Sequence, residues 1–299
     1  MQVLRTPAER FAGVPDFPYE VHYADADGAG LRVAYADEGP RDAAPVLLLH
    51  GEPTWAFLYR TVIPALLRAG LRVVAPDLVG FGRSDKPADR SDYSYARHVE
   101  WMRAALLERI GLHDITLVGH DWGGLIGLRL VAEHPDHFAR VVVTNTGLPT
   151  GDERMSDAFL AWQRFSQETE ELPVGRIVAG GCVSAPPADV VAAYDAPFPD
   201  ERHKAGARAF PLLVPTRPDD PASEANRAAW RALERWEKPF LTAFSDSDPI
   251  TRGGDRAFQQ RVPGAAGQPH VTLAGGGHFL QEDVGPRLAD VLAAFVTSD

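Results

Sequence analysis

The sequence predicts an α/β fold: a mostly parallel eight-stranded sheet flanked by helices, with a helical segment inserted late in the chain. Three observations carry this. Apolar runs such as Val46-Leu47-Leu48-Leu49 are continuous rather than alternating, as strands buried on both faces require. These runs alternate with stretches of helical length, the signature of βαβ units. The alternation stops near Gly151 and resumes after about residue 215, so residues 151–215 read as a helical cap inserted between core segments 1–150 and 216–299.

In chain order, residues 19–24 and 31–37 alternate around the turn Asp27-Gly28-Ala29-Gly30 and predict an antiparallel hairpin. Buried strands follow at 46–49, 72–75, 115–118 and 140–144, separated by helices at 58–69, 95–110 and 124–133. The inserted segment carries helical stretches at 155–170, 187–194 and 201–209, broken by Pro and Gly. A helix at 227–236, strands at 240–244 and 271–273 and a last helix at 286–296 complete the pattern.

Composition narrows the function classes. The chain has 299 residues, enough for one large domain with an insertion. Its net charge of -11 argues against a nucleic-acid partner. Its single cysteine, Cys182, allows no internal disulfide and reads as packing; no Cys/His cluster has zinc spacing, so no metal is expected. The first twenty residues lack a basic start followed by an apolar core, and no apolar run approaches the ~20 residues of a membrane span. A cytoplasmic monomer without a membrane partner is the expectation.

The strongest chemical signal is Gly119-His120-Asp121-Trp122-Gly123-Gly124, directly after a buried strand and opening a helix. Glycines at 119 and 123 flank the central residue with the spacing of a nucleophile elbow, G-x-S-x-G, but the central residue is aspartate. The plain alternative is a helix N-cap. An elbow nucleophile needs an acid and then a histidine later in the chain. His278 lies in the glycine-rich loop Ala274-Gly275-Gly276-Gly277-His278-Phe279 after a strand. Both Asp246 and Asp248 follow the strand at 240–244; Asp248, deeper in the loop, is favoured, with Asp246 as a turn former. An acid after the strand at 140–144 would fall at Asn145, which carries no charge. His50-Gly51-Glu52-Pro53-Thr54-Trp55 follows the strand at 46–49, so the backbone N–H groups of Glu52 and Trp122 are the expected oxyanion hole.

These motifs, together with Asp77-Leu78-Val79-Gly80-Phe81-Gly82-Arg83-Ser84-Asp85-Lys86-Pro87, closely resemble those of haloalkane dehalogenases of the α/β-hydrolase fold. The likeness continues through Ala161-Trp162, Tyr194-Asp195-Ala196-Pro197-Phe198-Pro199-Asp200, Phe210-Pro211 and Gly277-His278-Phe279-Leu280-Gln281-Glu282, so it spans nearly the whole chain. It points to the subfamily with two halide-binding tryptophans and the acid after the later strand, which favours Asp248. The resemblance implies that Trp122 and Trp162 donate indole N–H groups to the halogen; Trp55, Trp101, Trp230 and Trp236 read as packing. It also implies pocket walls at Phe159, Phe210, Pro211, Val214 and Ile250, and at Leu125, where relatives can carry an aromatic.

The implied reaction takes a small halogenated hydrocarbon and water to an alcohol, a halide ion and a proton, without cofactor. Asp121 forms an alkyl ester, and water activated by His278 cleaves it. Glu52 either positions that water or serves as a salt-bridge partner. A carboxylate suits the task because displacement at saturated carbon leaves an ester, whereas serine would leave an ether that water does not cleave. Two other readings remain: an epoxide hydrolase, which needs acidic donors where the cap offers only Tyr194, and a non-catalytic small-ligand binding protein, which has no need of the triad. A fluoroacetate-type enzyme would want a pair of basic residues for the substrate carboxylate, and no such pair is evident.

Overall fold

A computed structural model describes residues 1–298. The first strand, β1 (Val3–Leu4), pairs antiparallel with β6 (Lys86–Pro87) in a small ribbon. The main sheet holds β2 (His22–Asp25), β3 (Arg32–Glu38), β4 (Pro45–Leu49), β5 (Arg72–Pro76), β7 (Ile115–His120), β8 (Phe138–Thr144), β9 (Phe240–Ser245) and β10 (Val271–Leu273). Their spatial order is β10-β9-β8-β7-β4-β5-β3-β2. The pairs β2–β3 and β3–β5 are antiparallel; the pairings from β5 through β4, β7, β8 and β9 to β10 are parallel. All of β4, β7 and β9 is buried, as continuous apolar runs in a two-sided sheet demand.

Helices cover the sheet: α1 (Ile63–Arg68), α2 (Tyr95–Arg103), α3 (Trp122–Glu133) and, later, α8 (Ser223–Leu233), α9 (Asp255–Arg261) and α10 (Leu280–Thr297). Between β8 and α8 lie α4 (Asp157–Glu168), α5 (Val174–Gly180), α6 (Ala188–Asp195) and α7 (Ala205–Leu213). Several elements differ from the sequence expectation. The helix expected at 58–69 splits into a 3-10 turn, Ala56–Tyr59, and α1, whose start is set by Pro64 in its first turn. The stretch at 95–110 is α2 followed by a π-helical turn, Ala104–Arg109. The last helix begins earlier than expected, at Leu280, and kinks at Val284, two residues before Pro286. Helices α5 and α9 were not expected, being short and bounded by Pro or Gly. Among the described residues no helix is long and apolar enough to cross a membrane.

Because β4, β7, β9 and β10 run parallel, their carboxyl ends share one edge of the sheet. The loops leaving those ends carry Glu52, Asp121, Asp248 and His278. In open α/β sheets this is the edge at which ligands bind.

Candidate active site

Asp121 joins β7 directly to α3 with φ +49° and ψ -124°, a conformation that disfavours any residue with a Cβ. The turn is tight. A Cβ on Gly123 would collide with the carbonyl oxygens of Leu49 and His50, and one on Gly51 with the Asp121 side chain. The Asp121 side chain makes no capping bond to α3, which removes the N-cap reading. Instead its Oδ1 accepts the Glu52 backbone N–H at 2.8 Å, and its Oδ2 lies 3.6 Å from His278 Nε2.

His278 is held from both sides. Its Nδ1 lies 3.0 Å from Asp248 Oδ2, and Asp248 also accepts from Thr251 Oγ1 and, at 2.8 Å, from the Ile250 N–H. Asp246 is exposed and accepts the Gly275 N–H at 2.9 Å, so of the two candidate acids only Asp248 meets the histidine. The His278 backbone N–H donates to Gly181 O at 2.8 Å, tying the histidine loop to the end of α5.

Sequence reasoning undervalued Asn145. It was set aside because it carries no charge, yet its Nδ2 donates to Ser245 Oγ (2.8 Å), Gly277 O (2.9 Å) and His278 O (3.0 Å), and its Oδ1 accepts Ser245 N–H (2.9 Å). The side chain thus joins β8, β9 and the histidine loop. Its position at the carboxyl end of β8, on the catalytic edge, was the available signal.

The site has a definite charge pattern. Burial would raise the Asp121 carboxyl, but the donor and charge of His278, aided by His120 and the Trp122 backbone N–H, hold it below the ordinary carboxylate value. Burial would likewise depress His278, yet the charge of Asp248 together with Asp121 raises it to about 10. Asp248 is held well down against its own burial by the charge and hydrogen bond of His278. Glu52 goes the other way. Burial and the charge of Asp121 push it well above the carboxylate range, against the opposing pull of His278 and the Trp162 side chain. Its Oε1 is buried without a hydrogen-bond partner. Among the described residues Glu52 pairs with no cation other than through the distant pull of His278, which disfavours the salt-bridge reading.

A cavity of about 800 Å³ opens over Asp121, with Glu52, Trp122, Trp162 and His278 at its base. Leu125, Phe159, Pro211, Val214 and Ile250 line it. Phe210 does not: it is fully buried behind Trp122, ring centroids 4.5 Å apart, and packs on Phe81 and His98. Successive residues of a helix point in different directions, so Pro211 faces the cavity while Phe210 faces inward. Trp55 and Trp230 give their indole N–H groups to the carbonyls of Ala193 (3.1 Å) and Leu148 (2.7 Å), although Trp230 also contributes to the wall. Trp122 and Trp162 donate to no backbone carbonyl among the described residues. Cys182 sits at the cavity edge with its thiol on Val178 O, and burial raises it far from the thiolate range. No tyrosine is among the described residues lining the cavity, and the Tyr194 hydroxyl is spent on Glu282, which also pairs with Arg60. Among the described residues no cluster of three or more His, Cys, Asp or Glu is arranged to hold a metal ion.

Comparison with known proteins gives the relatives of the chain. Residues 44–179 match the family model of the alpha/beta hydrolase fold. The chain is 59% identical over 299 residues, covering 99% of itself and 98% of the relative, to a haloalkane dehalogenase of Psychrobacter cryohalolentis. It is 54% identical over 293 residues to one from Mycobacterium marinum, covering 97% and 98% of the two chains. Among solved structures, the tetrameric haloalkane dehalogenase DpaA of Paraglaciecola agarilytica NO2 superposes with a TM-score of 0.92 at 38% identity, covering 100% of both chains.

Proposed function

The chain belongs to the haloalkane dehalogenases, hydrolases of the α/β-hydrolase fold that cleave carbon–halogen bonds, and on that premise we propose that Asp121 is its nucleophile, His278 its base and Asp248 the acid that orients the base. The observation that carries the assignment is the Asp121 carboxylate itself. It is held at a strained elbow between an N–H donor and a histidine whose far nitrogen meets a buried aspartate.

In the first step an Asp121 oxygen attacks the carbon bearing the halogen. The carbon–halogen bond breaks, and the halide leaves with the bonding pair toward the indole N–H groups of Trp122 and Trp162. Indole offers a donor without a competing nucleophile. Esterification removes the negative charge of Asp121, and with it two of the influences that raise His278. His278 then gives up its proton to solvent and becomes a base. It takes a proton from water, the hydroxide adds to the ester carbonyl, and the N–H groups of Glu52 and Trp122 hold the oxyanion. Collapse breaks the acyl–oxygen bond. The second proton of the water passes to the alkoxide, which leaves as the alcohol, and Asp121 is regenerated. Glu52, buried at the base-facing loop with an unpartnered Oε1, is suited to orient the attacking water.

Residues 151–215 are proposed as the cap that roofs the cavity, over a core of 1–150 and 216–299. We propose a cytoplasmic monomer; sedimentation velocity separates it from the tetramer of the Paraglaciecola relative. The epoxide hydrolase reading is disfavoured because the cavity wall offers no tyrosine to protonate an opening oxygen. Halide and proton release with bromobutane and dibromoethane, and proton or product release with styrene oxide and p-nitrophenyl acetate, test the whole reading. Bromide from the bromoalkanes, lost in both Asp121→Ala and His278→Ala, supports it; diol from styrene oxide without halide release overturns it.

A further inference from the structure

We propose that His120, the residue before the nucleophile, is a positioning residue that ties the backbone of the base to the nucleophile strand and so sets the spacing between Asp121 and His278 for ester hydrolysis. The proposal rests on the reading of Asp121 as nucleophile and His278 as base.

His120 ends β7 and is fully buried. Its Nε2 lies 2.8 Å from the backbone carbonyl of His278, 158 residues away in sequence. A carbonyl only accepts, so Nε2 must carry the hydrogen. Nδ1 is then a bare acceptor, and it is buried with no partner. Two rings that serve the same edge are therefore used differently. His50 satisfies both nitrogens, accepting the Leu78 N–H at Nε2 (2.9 Å) and donating from Nδ1 to Gly51 O (2.9 Å), which braces the loop that presents Glu52. His120 leaves one nitrogen unsatisfied and makes a single directed bond. A buried polar atom without a partner is uncommon and calls for a reason beyond packing.

The bond has a consequence that packing alone would not give. Asp121 is rigidly attached to His120 through the peptide bond, and His278 is attached to His120 through this donor. Nucleophile and base therefore move as one unit, the rings of His120 and His278 being 5.1 Å apart. Asn145 grips the same carbonyl from β8, at 3.0 Å, but is not covalently continuous with the nucleophile. The charged groups that act on His120 are His278, Asp121 and Asp248; burial and the charge of His278 hold it down to about 4, so the ring stays a neutral donor throughout turnover. The first step, attack by Asp121, does not use the His278 imidazole. The second step does. Loss of the anchor must therefore fall on hydrolysis.

Two polar variants separate the ring nitrogens. Glutamine places an amide N–H near the position of Nε2, and asparagine near that of Nδ1. Rapid-quench halide release and intact-protein mass are followed with dibromoethane, with His278→Ala as control. In the control the ester must accumulate after one equivalent of halide; if it does not, the reading of nucleophile and base fails. With the control intact, His120→Asn is expected to keep the halide burst, accumulate the alkyl ester and slow steady turnover about a hundredfold, the scale of a 1 Å misplacement. His120→Gln is expected to turn over without accumulating ester. The proposal is overturned if the burst and turnover fall together in His120→Asn, or if the two variants behave alike.

Discussion

Asp248 Oδ2 lies 3.0 Å from His278 Nδ1, and both side chains are buried, so the imidazole has a single orientation available to it. That contact fixes Nε2 toward Asp121. Asp248→Asn preserves shape but removes the charge that most strongly raises His278. The halide burst should survive and ester hydrolysis should fall by about a thousandfold or more, as for other histidine bases deprived of their acid. Pre-steady-state halide release against steady-state alcohol formation checks this.

His278 is held protonated in the resting enzyme, raised to about 10 by Asp248 and Asp121. Esterification cancels the Asp121 charge, so the His278 value should fall at that moment and the proton should be lost more readily. In weakly buffered dye solution, a proton burst is expected together with the halide burst, before alcohol appears. The sign follows for pH as well: hydrolysis requires neutral His278, so its rate rises with pH through the ester-state value. The burst rate should stay flat until acid protonates Asp121, which lies below the ordinary carboxylate value.

Trp122 and Trp162 both line the cavity that holds Asp121. Charge-assisted hydrogen bonds of this type are worth about 1.5–3 kcal/mol. Replacing either with Phe should weaken bromide binding by at least tenfold, read by quenching of the remaining tryptophan fluorescence, and should slow the burst rather than hydrolysis. Trp55→Phe, whose indole serves Ala193 O, should leave bromide affinity unchanged.

Asn145→Ala removes the donor shared by Ser245 Oγ, Gly277 O and His278 O and leaves the Ser245 N–H without its acceptor. Each buried group left unmatched costs about 1–3 kcal/mol. Urea unfolding should show a lower midpoint with unchanged slope, the product of slope and shift giving a loss of at least that order, and the folded fraction should hydrolyse the ester slowly.

The positions of Asp121 and His278 were legible because glycine spacing and a strand-to-helix junction mark them, and both depend on backbone geometry that sequence encodes locally. The choice between Asp246 and Asp248 was not local. Depth in the loop and resemblance favour Asp248, while the contacts that separate the two carboxylates, Asp246 with the Gly275 N–H and Asp248 with His278, join two loops. Asn145 reads in sequence only as an acid position without charge; its hydrogen bonds to the histidine loop join distant segments, which no local pattern encodes. Phe210 and Pro211 were adjacent in sequence but not on one face of α7. The helices α5 and α9 were too short and too closely bounded by Pro or Gly to show a period.

A single turnover in oxygen-18 water, with enzyme in excess over dibromoethane, tests the covalent route most directly. Attack of water on the ester carbonyl places the label in the Asp121 carboxylate and leaves the first alcohol unlabelled, and peptide mass spectrometry should find it there. Label in the alcohol, with none at Asp121, would mean that water displaces the halide directly and that Asp121 is not the nucleophile.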